Sequence, residues 1–386
     1  MRNSGLEKLP LKKAMDISIQ NVFKLTPDCC KLLKIGPNKE TYEKMRKQPN
    51  PRAENEIISL PKEPVRDQDD EKTQKIREKI KKLLPKSIIN IIDDKTPSKF
   101  TAYLLGQHTN VSGFLPLYEH ANEFKGNNDI KNMINNLGNE KPLFRKIRGD
   151  GNCFFRAAVI QYFEKLLEDN IELDKESIAQ SRVIIFVKGV LQGKLIKCKL
   201  ETENLDLEGA LKDVDSLKEV LQKNVCEILL EKFVLEKKLK DKNLAYQKLL
   251  ELIQDRINNV PGLDIALIVF LRSWIQKSYT EHLEEYKNFI YDNSAEEILK
   301  TYGLEAENVI IPIVADALEC KVIINIVHTD YSTKKTTLLK EEYESLLGKN
   351  ANKDITLNMY FRPGHYECLY DRGFYAKYYK DIFENI

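Results

Sequence analysis

The chain has few of the features that mark secreted, metal-binding or membrane-spanning proteins. Its 386 residues include seven cysteines, an odd number, and a single short-spaced pair, Cys29-Cys30, so a disulfide framework is not indicated. The five histidines show no ligand spacing with cysteine, so neither a zinc site nor any other cofactor is predicted. No apolar run approaches the length of a membrane span, and the N-terminus has no apolar signal-peptide core.

An excess of acidic or basic residues is also missing. The formal net charge is +2, with acidic and basic residues interspersed, so the composition predicts no nucleic-acid partner. Free cysteines and the missing signal peptide predict a cytoplasmic protein in a reducing compartment. The same observations are compatible with delivery into a host cell by a route that uses no signal peptide.

Four regions follow one another along the chain. Residues 1–36 hold scattered apolar side chains, and residues 37–72, rich in Pro, Asn, Lys and Glu, are predicted to be a flexible linker. Residues 73–110 are a helical extension, because Ile76, Ile80, Leu83 and Leu84 form one apolar face before Pro85. We expect this helix to pack on its own domain, with partner binding as the alternative. Residues 111–386 form the main domain, in which 168–260 is a Leu/Lys/Glu-rich helical lobe.

A cysteine at the start of a predicted helix is the first candidate for chemistry. The segment Arg148-Gly-Asp-Gly-Asn-Cys-Phe-Phe-Arg-Ala157 places Cys153 on a Gly-rich turn, and apolar residues recur at helical spacing after it. We expect this helix to be amphipathic, with one buried stripe and its first turn facing a cleft. Unpaired N–H groups at the helix start favour a thiolate and can hold an oxyanion. Cys153 is therefore a candidate nucleophile.

A candidate base lies in a predicted hairpin near the end of the chain. Alternating apolar residues over 355–361 predict a strand, Pro363-Gly364 a turn, and 365–370 a returning strand. Since side chains alternate along a strand, His365 and Glu367 share a face, and the carboxylate can hold one imidazole nitrogen while the other faces a thiol. A strand is also predicted over 322–328, which gives an α+β fold with a small, mostly antiparallel sheet flanked by helices.

These two segments together resemble the otubain branch of the ovarian-tumour (OTU) deubiquitinases. The strings are Asp-Gly-Asn-Cys-Phe-x-Arg-Ala and, far downstream, Tyr-x-Arg-Pro-Gly-His-Tyr-x-x-Leu-Tyr. The helices over 265–272 and 307–320 and the strand over 321–327 also fit, so the resemblance spans residues from about 111 to 380. It implies a papain-like OTU fold and a cysteine isopeptidase that cleaves after the C-terminal glycine of ubiquitin, with a lobe that binds ubiquitin.

Carried over to this sequence, the resemblance makes Cys153 the nucleophile and His365 the general base. It makes the backbone of Asp150, Gly151, Asn152 and Cys153 the oxyanion hole. Otubains usually carry Asp two residues after the histidine, whereas this chain has Glu367, one methylene longer. Glu367 is the predicted orienting acid.

Other assignments stay open at this stage. Asn358, on the neighbouring strand, is the reserve candidate for orienting His365, and Asp150 and Asn152 are expected to shape or cap the loop. The expected partners are ubiquitin or polyubiquitin chains, with ubiquitin-conjugating enzymes as a further candidate. The alternatives are a non-catalytic protein that binds ubiquitin or a conjugating enzyme, and a protease for another ubiquitin-like modifier.

Overall fold

The computed structural model describes residues 71–95, 109–124, 126–201, 205–287, 294–330, 335–347, 355–362 and 364–383. The predictions for residues 1–36, for nearly all of 37–72 and for Pro363 of the hairpin turn lie outside these ranges. The chain divides after Gln68, and Asp69–Ile386 forms one compact unit.

Helices supply most of the regular structure in the described part of the chain. They are α1 (Glu71–Lys81), α2 (Lys86–Asp93), α3 (Leu117–Ala121), α4 (Asn128–Gly138), α5 (Cys153–Glu168), α6 (Lys175–Gln180), α7 (Arg182–Gln192), α8 (Leu205–Lys212), α9 (Val214–Lys238), α10 (Lys242–Asn259), α11 (Leu263–Glu281), α12 (Leu283–Tyr286), α13 (Ser294–Lys300), α14 (Ile310–Leu318), α15 (Arg372–Tyr378) and α16 (Lys380–Phe383).

The strands form one larger sheet and one short pair. They are β1 (Leu115–Pro116), β2 (Leu143–Arg145), β3 (Lys199–Leu200), β4 (Thr301–Tyr302), β5 (Lys321–Asp330), β6 (Lys335–Tyr343), β7 (Thr356–Arg362) and β8 (His365–Tyr370). The larger sheet has six strands in the order β1-β2-β8-β7-β5-β6, and β3 pairs with β4 in parallel. In the larger sheet β5 and β7 run parallel and the other neighbours antiparallel, so the predicted α+β fold with a mostly antiparallel sheet is confirmed.

Helix α5 lies at the centre of the unit. It packs against β8 on one side and against α7 and α11 on the other, so buried side chains lie on every face, including the polar Gln161 and Glu164. The expected single buried stripe is therefore wrong, because a helix enclosed between a sheet and other helices has no solvent face. Gln161 ties the helix to the sheet: its Nε2 donates to the Asn358 carbonyl at 2.6 Å, and its Oε1 accepts from the Asn358 amide at 2.8 Å.

The two helices described in the region of the predicted extension, α1 and α2, pack within the same unit. Helices α1 and α2 both contact α9, where Ile80 and Ile88 are buried and Arg77 pairs with Glu231. Pro85 precedes α2 as its N-cap, so the chain breaks and restarts a helix there. Burying each isoleucine contributes roughly 1.5–3 kcal/mol, which fixes the extension to α9.

Candidate active site

The nucleophile loop, defined here as residues 148–153, brings Cys153 to the first position of α5. Gly151 has φ +76°, a left-handed conformation that favours glycine, and a Cβ added there would lie 1.6 Å from the carbonyl oxygen of Gly303. Asn152 then takes the N-cap position. The turn therefore requires glycine twice over, for its φ angle and for the close approach of the facing chain.

Buried charge holds Asp150 in this loop. Oδ1 of Asp150 accepts from the Asn152 amide at 3.1 Å and from Arg156 Nη1 at 2.9 Å, and Oδ2 accepts from Arg156 Nη2 at 2.7 Å. Burial opposes the charge of Asp150, but the hydrogen bonds from Arg156 outweigh burial and hold the pKa of the carboxyl below its ordinary value. The other edge of the Arg156 guanidinium is bidentate to Asp264, at 2.7 and 2.8 Å. The carboxylate of Asp150 is thus held inside the loop by Arg156, a residue of the helix that follows the loop.

The strand pair β7–β8 presents the histidine. His365 lies opposite Arg362, and Glu367 lies opposite Tyr360. His365 Nε2 and Glu367 Oε1 are 3.0 Å apart, and Glu367 Oε2 accepts from the Ile147 amide at 2.6 Å. Both carboxylate oxygens of Glu367 therefore have partners. The Ile147 amide holds the carboxylate in place, and the carboxylate in turn orients the imidazole ring.

The side chain of Cys153 lies within hydrogen-bonding reach of the His365 ring. Because Glu367 occupies Nε2, Nδ1 is the nitrogen left available to the thiol. Burial lowers the pKa of His365, but the hydrogen bonds with Cys153 and Glu367 outweigh burial and raise it from 6.5 to about 9. The raised pKa favours a protonated imidazolium beside the sulfur of Cys153 at neutral pH.

A loop of residues 303–305, which we call the facing loop, lies against both sides of this site. Gly303 contacts Gly151, and a Cβ at Gly364 would lie 3.9 Å from Oε1 of Glu305. A Cβ at Gly149 would lie 3.3 Å from His365 Nδ1, so the nucleophile loop also packs directly on the imidazole ring. Cys153 itself is 3% exposed.

Two kinds of site are not found in the described ranges. No group of three or more His, Cys, Asp or Glu side chains there could hold a metal ion. Likewise, none of the helices described is long and apolar enough to cross a membrane.

A comparison with protein families decides the assignment. Residues 103–371 match the family model described as peptidase C65, otubain. The chain belongs to the otubain family. The resemblance predicted from the two motifs is confirmed, and the family places the protein among the deubiquitinating cysteine peptidases.

Individual relatives are distant. A curated relative from Arabidopsis thaliana, OVARIAN TUMOR DOMAIN-containing deubiquitinating enzyme 1, is 22% identical over 277 residues, which cover 67% of this chain and 79% of that protein. A solved complex of ceOTUB1, ubiquitin aldehyde and UBC13~Ub matches with a TM-score of 0.44 and 18% identity over 69% of this chain and 94% of that one. A complex of h/ceOTUB1, ubiquitin aldehyde and UBC13~Ub gives 0.44 and 16% over 78% and 96%.

The reserve residue Asn358 lies on β7, the strand paired with the one that carries His365 and Glu367. Its backbone is bound by Gln161, and its side-chain Oδ1 is buried without a hydrogen-bond partner among the described residues. Asn152 shapes the loop through its side chain, which accepts from Arg272 and from the Gly303 amide. The backbone N–H of Asn152 donates to Asp150 Oδ1, so this N–H is already bound within the loop.

Sequence reasoning missed the residues that hold the nucleophile loop in place. Arg156 stands within the quoted motif, and an arginine in the first turn of a helix that starts at the candidate nucleophile is a signal that could have been used. Asp264 and Arg272 stand in α11, and nothing near them in sequence points to the loop they contact.

Proposed function

We propose that this otubain is a cysteine isopeptidase that removes ubiquitin from polyubiquitin chains or conjugates through a Cys153–His365–Glu367 triad. The observation that supports the triad is the continuous contact from Glu367 through the His365 ring to Cys153, with the pKa of His365 raised to about 9. Otubain family membership supports the reaction class.

The proposed reaction begins with the Cys153 thiolate attacking the isopeptide carbonyl. The backbone N–H groups of Asp150, Gly151 and Cys153 hold the oxyanion, since the Asn152 amide is already bound to Asp150. The His365 imidazolium gives its proton to the departing lysine amine as the C–N bond breaks, which leaves ubiquitin attached to Cys153 as a thioester. No metal or cofactor takes part in this sequence of steps.

Hydrolysis of the thioester completes the cycle. His365, now neutral, removes a proton from a water that attacks the thioester carbonyl. Collapse of that intermediate releases the ubiquitin carboxylate, and Cys153 returns as a thiolate beside the protonated ring. Glu367 keeps Nδ1 of His365 directed at the sulfur throughout and stabilises the imidazolium.

Ubiquitin is the proposed substrate because the Arabidopsis relative is named a deubiquitinating enzyme. The helical lobe, residues 168–260, is proposed to contact the distal ubiquitin. A ubiquitin-conjugating enzyme is a further partner that the same surface could accept.

A panel of modifiers carrying a C-terminal electrophile tests the proposal. We expect a covalent adduct with the ubiquitin probe, mapped to Cys153 by peptide mass spectrometry and absent in Cys153→Ala. An adduct with a different ubiquitin-like modifier in place of ubiquitin would change the substrate. No adduct with any probe, together with measurable ubiquitin binding, would favour a non-catalytic binding protein.

A further inference from the structure

A buried arginine on α11 has no ionic partner among the residues that the structure describes. Arg272 is 0% exposed, and no carboxylate in the described ranges pairs with it; its Nε also has no hydrogen-bond partner there. Burial lowers the pKa of Arg272 to about 10. An unpaired buried charge destabilises a fold compared with an apolar side chain of similar size, so packing alone does not account for an arginine at this position.

The guanidinium of Arg272 binds the nucleophile loop and the facing loop at the same time. Its Nη2 donates to Asn152 Oδ1 and to the Leu304 carbonyl, both at 2.9 Å. Its Nη1 donates to the Ile298 carbonyl, and its plane lies over the ring of Phe155, 3.8 Å from the ring centroid. The planar, forked guanidinium can satisfy several fixed acceptors in a way that an ammonium group cannot.

Asn152 carries this connection to the nucleophile. The same Oδ1 that accepts from Arg272 also accepts from the Gly303 amide at 3.1 Å, so one amide oxygen joins α11, the facing loop and the residue next to Cys153. The facing loop continues to Glu305, which lies near Gly364, the residue before His365. A displacement of the facing loop would therefore shift both the thiol of Cys153 and the imidazole of His365.

We propose that Arg272 is a positioning residue for catalysis, which acts through Asn152 and the facing loop to set the nucleophile loop against the histidine hairpin. The proposal rests on the cysteine peptidase chemistry proposed above. It differs from a purely structural role, because a structural arginine would change the stability of the fold and leave the turnover of the folded enzyme intact.

Kinetics of full-length variants test this. For Arg272→Met we expect kcat on ubiquitin with a C-terminal fluorophore to fall by roughly 10²-fold with a smaller change in KM, since small misplacements of reacting groups cost about that much. Arg272→Lys, which keeps one donor and the charge, should recover part of the loss. Arg77→Met is the control, because Arg77 also makes side-chain hydrogen bonds, to Glu231, but stands on α1, outside residues 168–260 and outside the nucleophile and facing loops.

A double-mutant cycle identifies the route. If Arg272 acts through Asn152, then Asn152→Ala alone should lower kcat, and the double variant should be no worse than the more damaging single variant. Arg272→Met removes a buried guanidinium, and the variant protein can fail to fold. Arg272→Lys and Asn152→Ala therefore form a second cycle. Unchanged kcat in folded Arg272 variants, additive losses in the cycle, or an equal loss in Arg77→Met would each overturn the proposal.

The alkylation rate of Cys153 by iodoacetamide gives a readout that needs no ubiquitin. We expect it to fall several-fold in the Arg272 variants and to stay unchanged in Arg77→Met. If the wild-type protein failed to cleave ubiquitin while its Cys153 alkylation still depended on Arg272, the substrate assignment would fail and the positioning role would stand. An alkylation rate that stays unchanged in the Arg272 variants would count against the positioning role even in an active enzyme.

Discussion

The nucleophile loop is held by buried side chains, whereas the histidine strand is held by backbone pairing. Around the loop, Arg156 of α5 and Arg272 of α11 bind Asp150 and Asn152. Strand β8, in contrast, lies between β7 and β2, with His365 positioned by its register opposite Arg362. The thiol therefore depends on a few buried charged groups, and the imidazole on many equivalent backbone hydrogen bonds.

The two modes of support respond differently to substitution. Removing one partner of a buried ion pair leaves an uncompensated charge and costs about 3–5 kcal/mol. A single hydrogen bond in a ladder contributes about 0.5–1.5 kcal/mol, and its neighbours remain in place when it is lost. We therefore expect substitutions around the nucleophile to have larger structural effects than substitutions around the histidine.

Removal of the nucleophile is the largest expected effect. Cys153→Ala should abolish cleavage of ubiquitin chains while ubiquitin binding persists, since the proposed recognition surface lies on the lobe. Turnover is measured by gel on diubiquitin, and binding by calorimetry. Cys368→Ala is the matched control, a buried cysteine of β8 whose loss should leave cleavage measurable. Thioester formation at Cys368 or Cys320 would refute the assignment.

Charge removal at two arginines tests the comparison directly. Arg156→Met should lower the free energy of unfolding by about 3–5 kcal/mol, because it leaves Asp150 and Asp264 without their shared cation. Arg362→Met on the histidine side should cost less than about 1 kcal/mol, since Arg362 is 43% exposed and stands 4.0 Å from Glu367. Urea denaturation of both variants gives the two values. Equal costs would mean that buried charge is not what distinguishes the nucleophile side.

Loss of the orienting carboxylate is expected to be the next largest effect. Glu367→Gln keeps the shape of the side chain and removes the charge that stabilises the imidazolium. The matching change in serine proteases costs about 10⁴ in rate, but a Cys–His pair that begins as thiolate and imidazolium depends less on its third member, so we expect a loss of roughly 10–10³ in kcat.

Two companion variants make that measurement decisive. Glu367→Asp, which introduces the usual otubain residue, should retain more activity than Glu367→Gln despite its shorter reach. Asn358→Ala should keep near-wild-type turnover, because the His365 Nε2 contact belongs to Glu367. Near-wild-type turnover for Glu367→Gln beside a collapse for Asn358→Ala would transfer the orienting role to β7.

The same contrast explains what could be predicted from the sequence. The shared face of His365 and Glu367 follows from the two-residue period of a strand, and β8 has the predicted bounds of 365–370. The glycines before Cys153 predicted a tight turn from local pattern. Asp264 and Arg272 could not be found in this way, because Asp264 is 108 residues from Arg156 and Arg272 is 120 residues from Asn152. Such long-range contacts leave no local period.

Protonation of His365 connects the two sides of the site. Burial alone lowers its pKa, but the hydrogen bonds with Cys153 and Glu367 raise it from 6.5 to about 9. A raised folded-state pKa contributes stability that is fully present below the unfolded pKa and is lost as the pH rises through the folded value. The stability advantage of the wild type over His365→Gln should therefore be larger below pH 6.5 than above pH 9.

NMR titration of the His365 ring checks the cause of that dependence. Cys153→Ala and Glu367→Gln should each lower the pKa of His365, because each removes one of the hydrogen bonds that raise it. A wild-type ring that titrates near 6.5 would show that neither contact operates in solution.

Truncation of the N-terminal region is expected to have the smallest effect. A chain that begins at Asp69, the start of the compact unit, should cleave a fluorogenic ubiquitin substrate at a rate near that of the full chain. A loss of more than about tenfold, or about 1.4 kcal/mol of barrier, would show that the removed residues complete the active site.

The control is a second truncation, beginning at Lys95, which also removes α1 and α2. It exposes the surface of α9 that Ile80 and Ile88 cover, so its unfolding temperature should fall markedly. Equal stability of the two truncated chains would mean that the helical extension is an appendage and that the catalytic unit begins later in the sequence.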